Sequence, residues 1–186
     1  AGKNFDEFFS TASVNDVEFV VSTLFDYFDT LISTARNIDA TRQILDKLDS
    51  LKEKSSYPKY IEFLRKYVED KRIVVPHTFC HGDLTFANII FHQNRLFFID
   101  FLDCYVDTFL SDLVKLKQDL HHLWAVRNQN VYTNRIHQIY QYIWDKLELR
   151  YESHMSEGFH ILDVMNSLRI EPYLTSDSQR VILEGI

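Results

Sequence analysis

Glycine is scarce in this chain: Gly2, Gly82, Gly158 and Gly185 are the only 4 in 186 residues. Average usage is about 7%. No two lie close together, so neither G-x-G-x-x-G nor G-x-x-x-x-G-K-[ST] occurs. A glycine-rich phosphate loop is excluded from these residues, as are collagen-like and flexible-linker classes. Cysteine is rarer still. Cys80 and Cys104 are the only 2, too few for a secreted disulfide scaffold, and free thiols are expected. Positive charge also falls short: 20 Lys and Arg against 27 Asp and Glu leave a net −7. That balance argues against a nucleic-acid or anionic-membrane partner, which needs a basic footprint. It does not exclude a nucleotide, whose phosphates a metal ion can screen. No apolar run nears the roughly 20 residues of a membrane span. Nor does an apolar stretch follow Ala1-Gly2-Lys3-Asn4-Phe5 as in a signal peptide, and a cytoplasmic location is expected. The Ala-Gly start without Met points to a piece of a longer chain.

What is present is apolar and aromatic: 46% hydrophobic residues, with 15 Phe and 10 Tyr. A chain of this length buries a sizeable core without metals or disulfides. Its first half reads as helical. Asn15-Asp16-Val17-Glu18 has the form of a capping box. Val17, Val20, Val21, Leu24, Phe25, Phe28, Leu31 and Ile32 then recur at helical steps. A second helix is expected over Ala40–Lys54 and a third from Pro58 to about Glu69. The period then changes. Ile73-Val74-Val75 is short and β-branched, and Phe86–Phe91 and Leu96–Phe101 flank a polar loop, His92-Gln93-Asn94-Arg95. That is the pattern of a β-hairpin with a four-residue loop, the one clear β element. Further helices are expected over Asp112–Trp124, Tyr132–Leu147 and His154–Leu168, with a last one beginning at Ser178–Glu184. The fold class is mostly α with a small β-hairpin, α+β, in one domain.

Polar residues with chemistry flank that hairpin. His81-Gly82-Asp83-Leu84-Thr85-Phe86-Ala87-Asn88 enters its first strand, and Asp100 ends the second. Antiparallel pairing sets the start of one strand beside the end of the other. Asn88 and Asp100 should therefore meet at one end of the hairpin, with Asp83 beside them. An amide oxygen and a carboxylate are hard ligands suited to Mg²⁺. A neighbouring carboxylate that binds no metal can orient a hydroxyl and accept its proton.

H-G-D-x-x-x-x-N followed by I-D-F resembles the aminoglycoside phosphotransferase and choline kinase family, a small-molecule branch of the protein-kinase-like fold. The resemblance covers about residues 78–116. It implies that Asp83 is the catalytic base, that Asn88 and Asp100 hold Mg²⁺, and that His81 and Asp112 support the catalytic loop. It implies ATP as co-substrate and a hydroxyl of a small molecule, such as choline, an aminoglycoside or a sugar, as acceptor. Residue 85 is Thr where protein kinases have Lys; Asp100-Phe101-Leu102 lacks the Gly of DFG; no A-P-E follows. All three departures favour the small-molecule branch. Thr85-Phe86-Ala87 stands where many relatives carry His-Pro-Gly before the Asn. The chain is expected to be the helical carboxy-terminal lobe (residues 1–186, catalytic loop and hairpin about 78–102), without the amino-terminal lobe that covers ATP.

Other readings of the same residues remain. The chain is an isolated lobe acting as a binding module, or a metal-dependent phosphoesterase using His81 and Asp83 as ligands; the latter needs further His and Asp clusters. Asp103 and Asp107 read as solvated loop or as an acidic edge for a cationic acceptor. Trp124, Tyr132, Tyr140 and Trp144 read as core or as a cage for a quaternary ammonium. His121-His122 point different ways from one helix, so a shared metal ion is not expected.

Overall fold

A computed structural model describes residues 2–124 and 134–173. Helices α1 (Phe5–Thr11) and α2 (Val14–Ser33) open the chain, followed by strand β1 (Arg36–Asp39) and helices α3 (Thr41–Lys52) and α4 (Pro58–Glu69). Strand β2 (Val74–His77) precedes the His81–Phe86 loop, and β3 (Ile89–His92) and β4 (Arg95–Phe98) form the expected hairpin. Helices α5 (Phe109–Leu120), α6 (Asn134–Tyr151) and α7 (Glu157–Ile170) complete the described residues. The class is mostly α with small antiparallel sheets. No helix among the described residues is long and apolar enough to cross a membrane.

Helix α2 follows its sequence pattern: Val17, Val20, Val21, Leu24, Phe28 and Leu31 are buried. Its cap lies earlier than the sequence reading put it. Ser13 is the N-cap, its hydroxyl accepting from the Asp16 amide while the Asp16 carboxylate accepts from the Ser13 amide. Asp16 thus takes the role expected of Glu18, because Ser13 closes the same reciprocal pair two residues sooner. Pro58 sits in the first turn of α4, where its missing N–H costs nothing.

The hairpin is tighter than expected. His92 pairs with Arg95, leaving a two-residue turn at Gln93 and Asn94, both with positive φ, at 47° and 55°. That is the type I′ geometry that matches strand twist. Phe86–Asn88 forms a 3-10 turn before β3 rather than part of the strand. A second antiparallel pair, β1 with β2, joins residues far apart in sequence, Arg36 opposite His77 and Asp39 opposite Val74. The predicted helix at Ser178–Glu184 lies outside the described residues, as does Tyr132.

Helix α5 is the central element. Leu110, Leu113, Val114, Leu116 and Leu120 are buried in it, and so are Asp112, Lys115, Gln118 and Asp119. Buried charge on a core helix is rare unless paired, and here it faces the loop that precedes the hairpin.

Candidate active site

The loop from His81 to Phe86 is held from below by one face of α5. Asp112 sits in the helix's first turn and is fully buried. Its carboxylate accepts the backbone amides of His81 at 2.7 Å and Gly82 at 2.9 Å, and the Tyr27 hydroxyl at 2.7 Å. Burial pushes its carboxyl above the ordinary value, and these donors oppose the shift. Two turns on, the Asp119 carboxylate accepts the Phe86 amide at 2.7 Å. Between them, Lys115 reaches up to Asp83, with Nζ 2.9 Å from Oδ1. Residues 112, 115 and 119 share one helix face, so a single stripe of α5 grips both ends of the loop and its central carboxylate.

Gly82 has a φ of +85°, and a Cβ there would meet the Leu102 carbonyl oxygen at 2.1 Å. Only glycine fits this approach. Leu102 in turn donates its amide to the His81 carbonyl at 2.9 Å. The His81–Phe86 loop is thereby fastened to the segment that follows Asp100. His81 is buried, stacks on Phe101 with centroids 4.2 Å apart, and accepts the Asp83 amide at Nδ1, 3.3 Å away.

Asp83 itself is half-buried. Asn88 donates its amide nitrogen to the Asp83 carbonyl at 2.8 Å and to Oδ2 at 3.2 Å. Arg169, from the last turn of α7, stands 3.8 Å from Oδ1. The hairpin brings Asp100 round to this end: the Ile99 amide donates to the Asn88 carbonyl at 3.0 Å. Asp100 is exposed, has a φ of +58°, and makes no hydrogen bond or ion pair among the described residues. Asn88 spends its amide nitrogen on Asp83, and no described protein donor reaches its amide oxygen. The Asn88 oxygen and the Asp100 carboxylate are hard donors that could hold a divalent cation. A cavity of about 500 Å³ opens over the loop, lined by Asp83, Asn88, Lys115, Asp119, Trp124 and Arg169.

The sequence reading did not single out Lys115, Arg169, Asp119 or Tyr27. A signal existed for two of them: Lys115 and Asp119 follow Asp112 at i+3 and i+7, on the same face of one helix. Of the candidate cage, Tyr140 and Trp144 are core residues, Trp124 borders the cavity, and Tyr132 lies outside the described residues. His121 is exposed and His122 buried, with rings edge to face. Burial lowers His122 to about 4. Cys80 and Cys104 are free thiols in direct contact, Sγ to Sγ 2.7 Å.

The class these features define is a mostly helical domain whose polar loop is carried on a buried helix beside a short hairpin. The model of the phosphotransferase enzyme family, APH, matches residues 24–150, more than half of the chain, and the chain belongs to that family. The matched span contains His81, Asp83, Asn88, Asp100 and Asp112. No curated protein and no solved structure matches the chain.

Proposed function

We propose that this chain is the carboxy-terminal lobe of an ATP-dependent kinase that phosphorylates a hydroxyl of a small molecule. The observation that carries the reading is the Asp83–Asn88 contact beside Asp100, in a chain of the phosphotransferase family. Asp83 orients the acceptor hydroxyl and takes its proton. Its carboxylate lines the cavity, oriented by Lys115 at Oδ1 and Asn88 at Oδ2. His81 and Asp112 hold the loop and do not touch the reacting atoms. Asn88 and Asp100 are the residues that would hold Mg²⁺, which when bound neutralises charge on the phosphates. Lys115 supplies a cation beside Asp83 from a helix, where residue 85 of the loop is Thr.

A phosphoesterase using His81 as a metal ligand is disfavoured. His81 is fully buried and its Nδ1 is occupied by the Asp83 amide. The amino-terminal lobe of such a kinase covers the nucleotide, so the test uses the whole protein. ADP formation is followed with choline, an aminoglycoside and simple sugars as acceptors. Asp83→Asn and Asp100→Asn should each cut transfer by about 10²–10⁴-fold. Near-normal transfer in either variant overturns the assignment.

A further inference from the structure

A second cavity, of about 240 Å³, adjoins the catalytic loop and is lined by Lys47, Gly82, Asp103, Tyr105, Lys115 and Arg169 among others. It includes neither Asn88 nor Asp100. Helices α3, α5 and α7 each send a cation into it: Lys47, Lys115 and Arg169. Lys115 and Arg169 are the same side chains that approach Asp83 from the larger cavity. Asp103 is the only carboxylate in the lining. A chain of net charge −7 thus concentrates positive charge beside its candidate base.

Lys47 is the most telling member. It is half-buried, lies 5.5 Å above the Tyr105 ring, and has no carboxylate within ion-pair distance among the described residues. Partial burial, then the charges of Arg169 and Lys54, make it easier to deprotonate than a surface lysine. A cation held near other cations, without a counter-ion, is relieved by an arriving anion. Lys115 and Arg169 are only partly compensated, because they share one carboxylate, Asp83.

We propose that this cavity binds an oxyanion, a phosphate or carboxylate group, carried by the acceptor. The inference rests on the kinase reading for the word acceptor, but the anion site stands on its own residues. Lys47 and Arg169 grip the anion, and Tyr105 offers an apolar face to the body of the molecule. An acceptor held this way presents a hydroxyl across Lys115 to Asp83. The expected substrate is therefore a phosphorylated or acidic polyol or sugar. The cationic acceptor that Asp103 and Asp107 had suggested is disfavoured, since Asp103 shares its cavity with three cations and Asp107 lies by Cys80.

The test is calorimetric titration of the chain with glycerol phosphate, inorganic phosphate, glycerol and choline, in EDTA. Glycerol phosphate and phosphate should bind; glycerol and choline should not. Lys47→Gln should weaken glycerol phosphate about tenfold, the effect of losing one charge-assisted contact, and Lys47→Arg should retain most of the affinity. Absence of phosphate binding, or tighter binding of choline, overturns the proposal. So does phosphate binding that ignores Lys47→Gln, which would put the anion outside this cavity. The kinase reading fails separately, through undiminished transfer by Asp83→Asn in the whole protein.

Discussion

Asp112 and Asp119 stand two turns apart on α5 and accept backbone amides on either side of Asp83, from His81 and Gly82 at one end and Phe86 at the other. The loop is thus hung between two buried carboxylates, which fix it from the helix while Gly82 supplies the backbone freedom it needs. Asp112→Ala leaves two amides and the Tyr27 hydroxyl without their acceptor. It should cost about 3 kcal/mol in urea denaturation, as should Asp119→Ala. Tyr27→Phe removes one donor and keeps the amides paired, so its cost should be about 1 kcal/mol. A smaller loss for Asp112→Ala than for Tyr27→Phe would contradict this arrangement.

Gly82→Ala should destabilise the fold by roughly 2 kcal/mol, through positive φ and the Leu102 contact together. Urea midpoints measure it. The substitution should also depress phosphoryl transfer in the whole protein, since Leu102 and His81 exchange the bond that fastens the loop.

His122 should shape the acid limb of stability. Burial holds its folded value near about 4, below the ordinary 6.5. The unfolded chain therefore binds the proton first. Stability from neutral His122 is full above about pH 6.5 and is lost as pH falls toward about 4, by on the order of 3 kcal/mol. Asp29, held low chiefly by its hydrogen bond to Arg150, adds to the same limb. His122→Gln should lose less stability than the parent between about pH 7 and about pH 4.5. Parallel pH profiles for the two proteins would refute the role.

Cys80 and Cys104 should form a disulfide with diamide, the two thiols giving up their hydrogens to the reagent. Contact with Cys104 and burial push the Cys80 thiol well above its usual range. The reaction should therefore be slow near neutrality and faster as pH rises, since the thiolate attacks. Mass spectrometry detects the loss of two hydrogens, and Cys104→Ser should abolish it. Thiols that both remain titratable after long exposure at alkaline pH would refute the contact.

The legible parts of the fold were local. The α2 stripe from Val17 to Leu31 reads from spacing because burial repeats with the helix. The meeting of Asn88 with the end of β4 reads from hairpin topology, which pairs Ile89 with Phe98. Strand β1 did not read, because Arg36–Asp39 is largely exposed and is made a strand only by distant Val74–His77. Helix α1 is one short stretch whose Phe5 and Phe9 are fixed by tertiary contact, Phe9 with Phe86 at 5.3 Å. The same limit hid Lys115 and Arg169. A lysine among Leu113, Val114 and Leu116 looks like a helix's stray polar residue until α5 is seen beneath the loop, and Arg169 meets Asp83 only because α7 packs on α5.

The Gly82–Leu102 approach has a mechanical meaning. Backbone pressed on backbone, with the His81–Leu102 hydrogen bond beside it, makes the Asp83 loop and the segment after Asp100 one rigid jaw. Such a jaw cannot yield within itself. Freedom at Asp83 is therefore left to its outer contacts, of which Arg169 at 3.8 Å is looser than Lys115 at 2.9 Å.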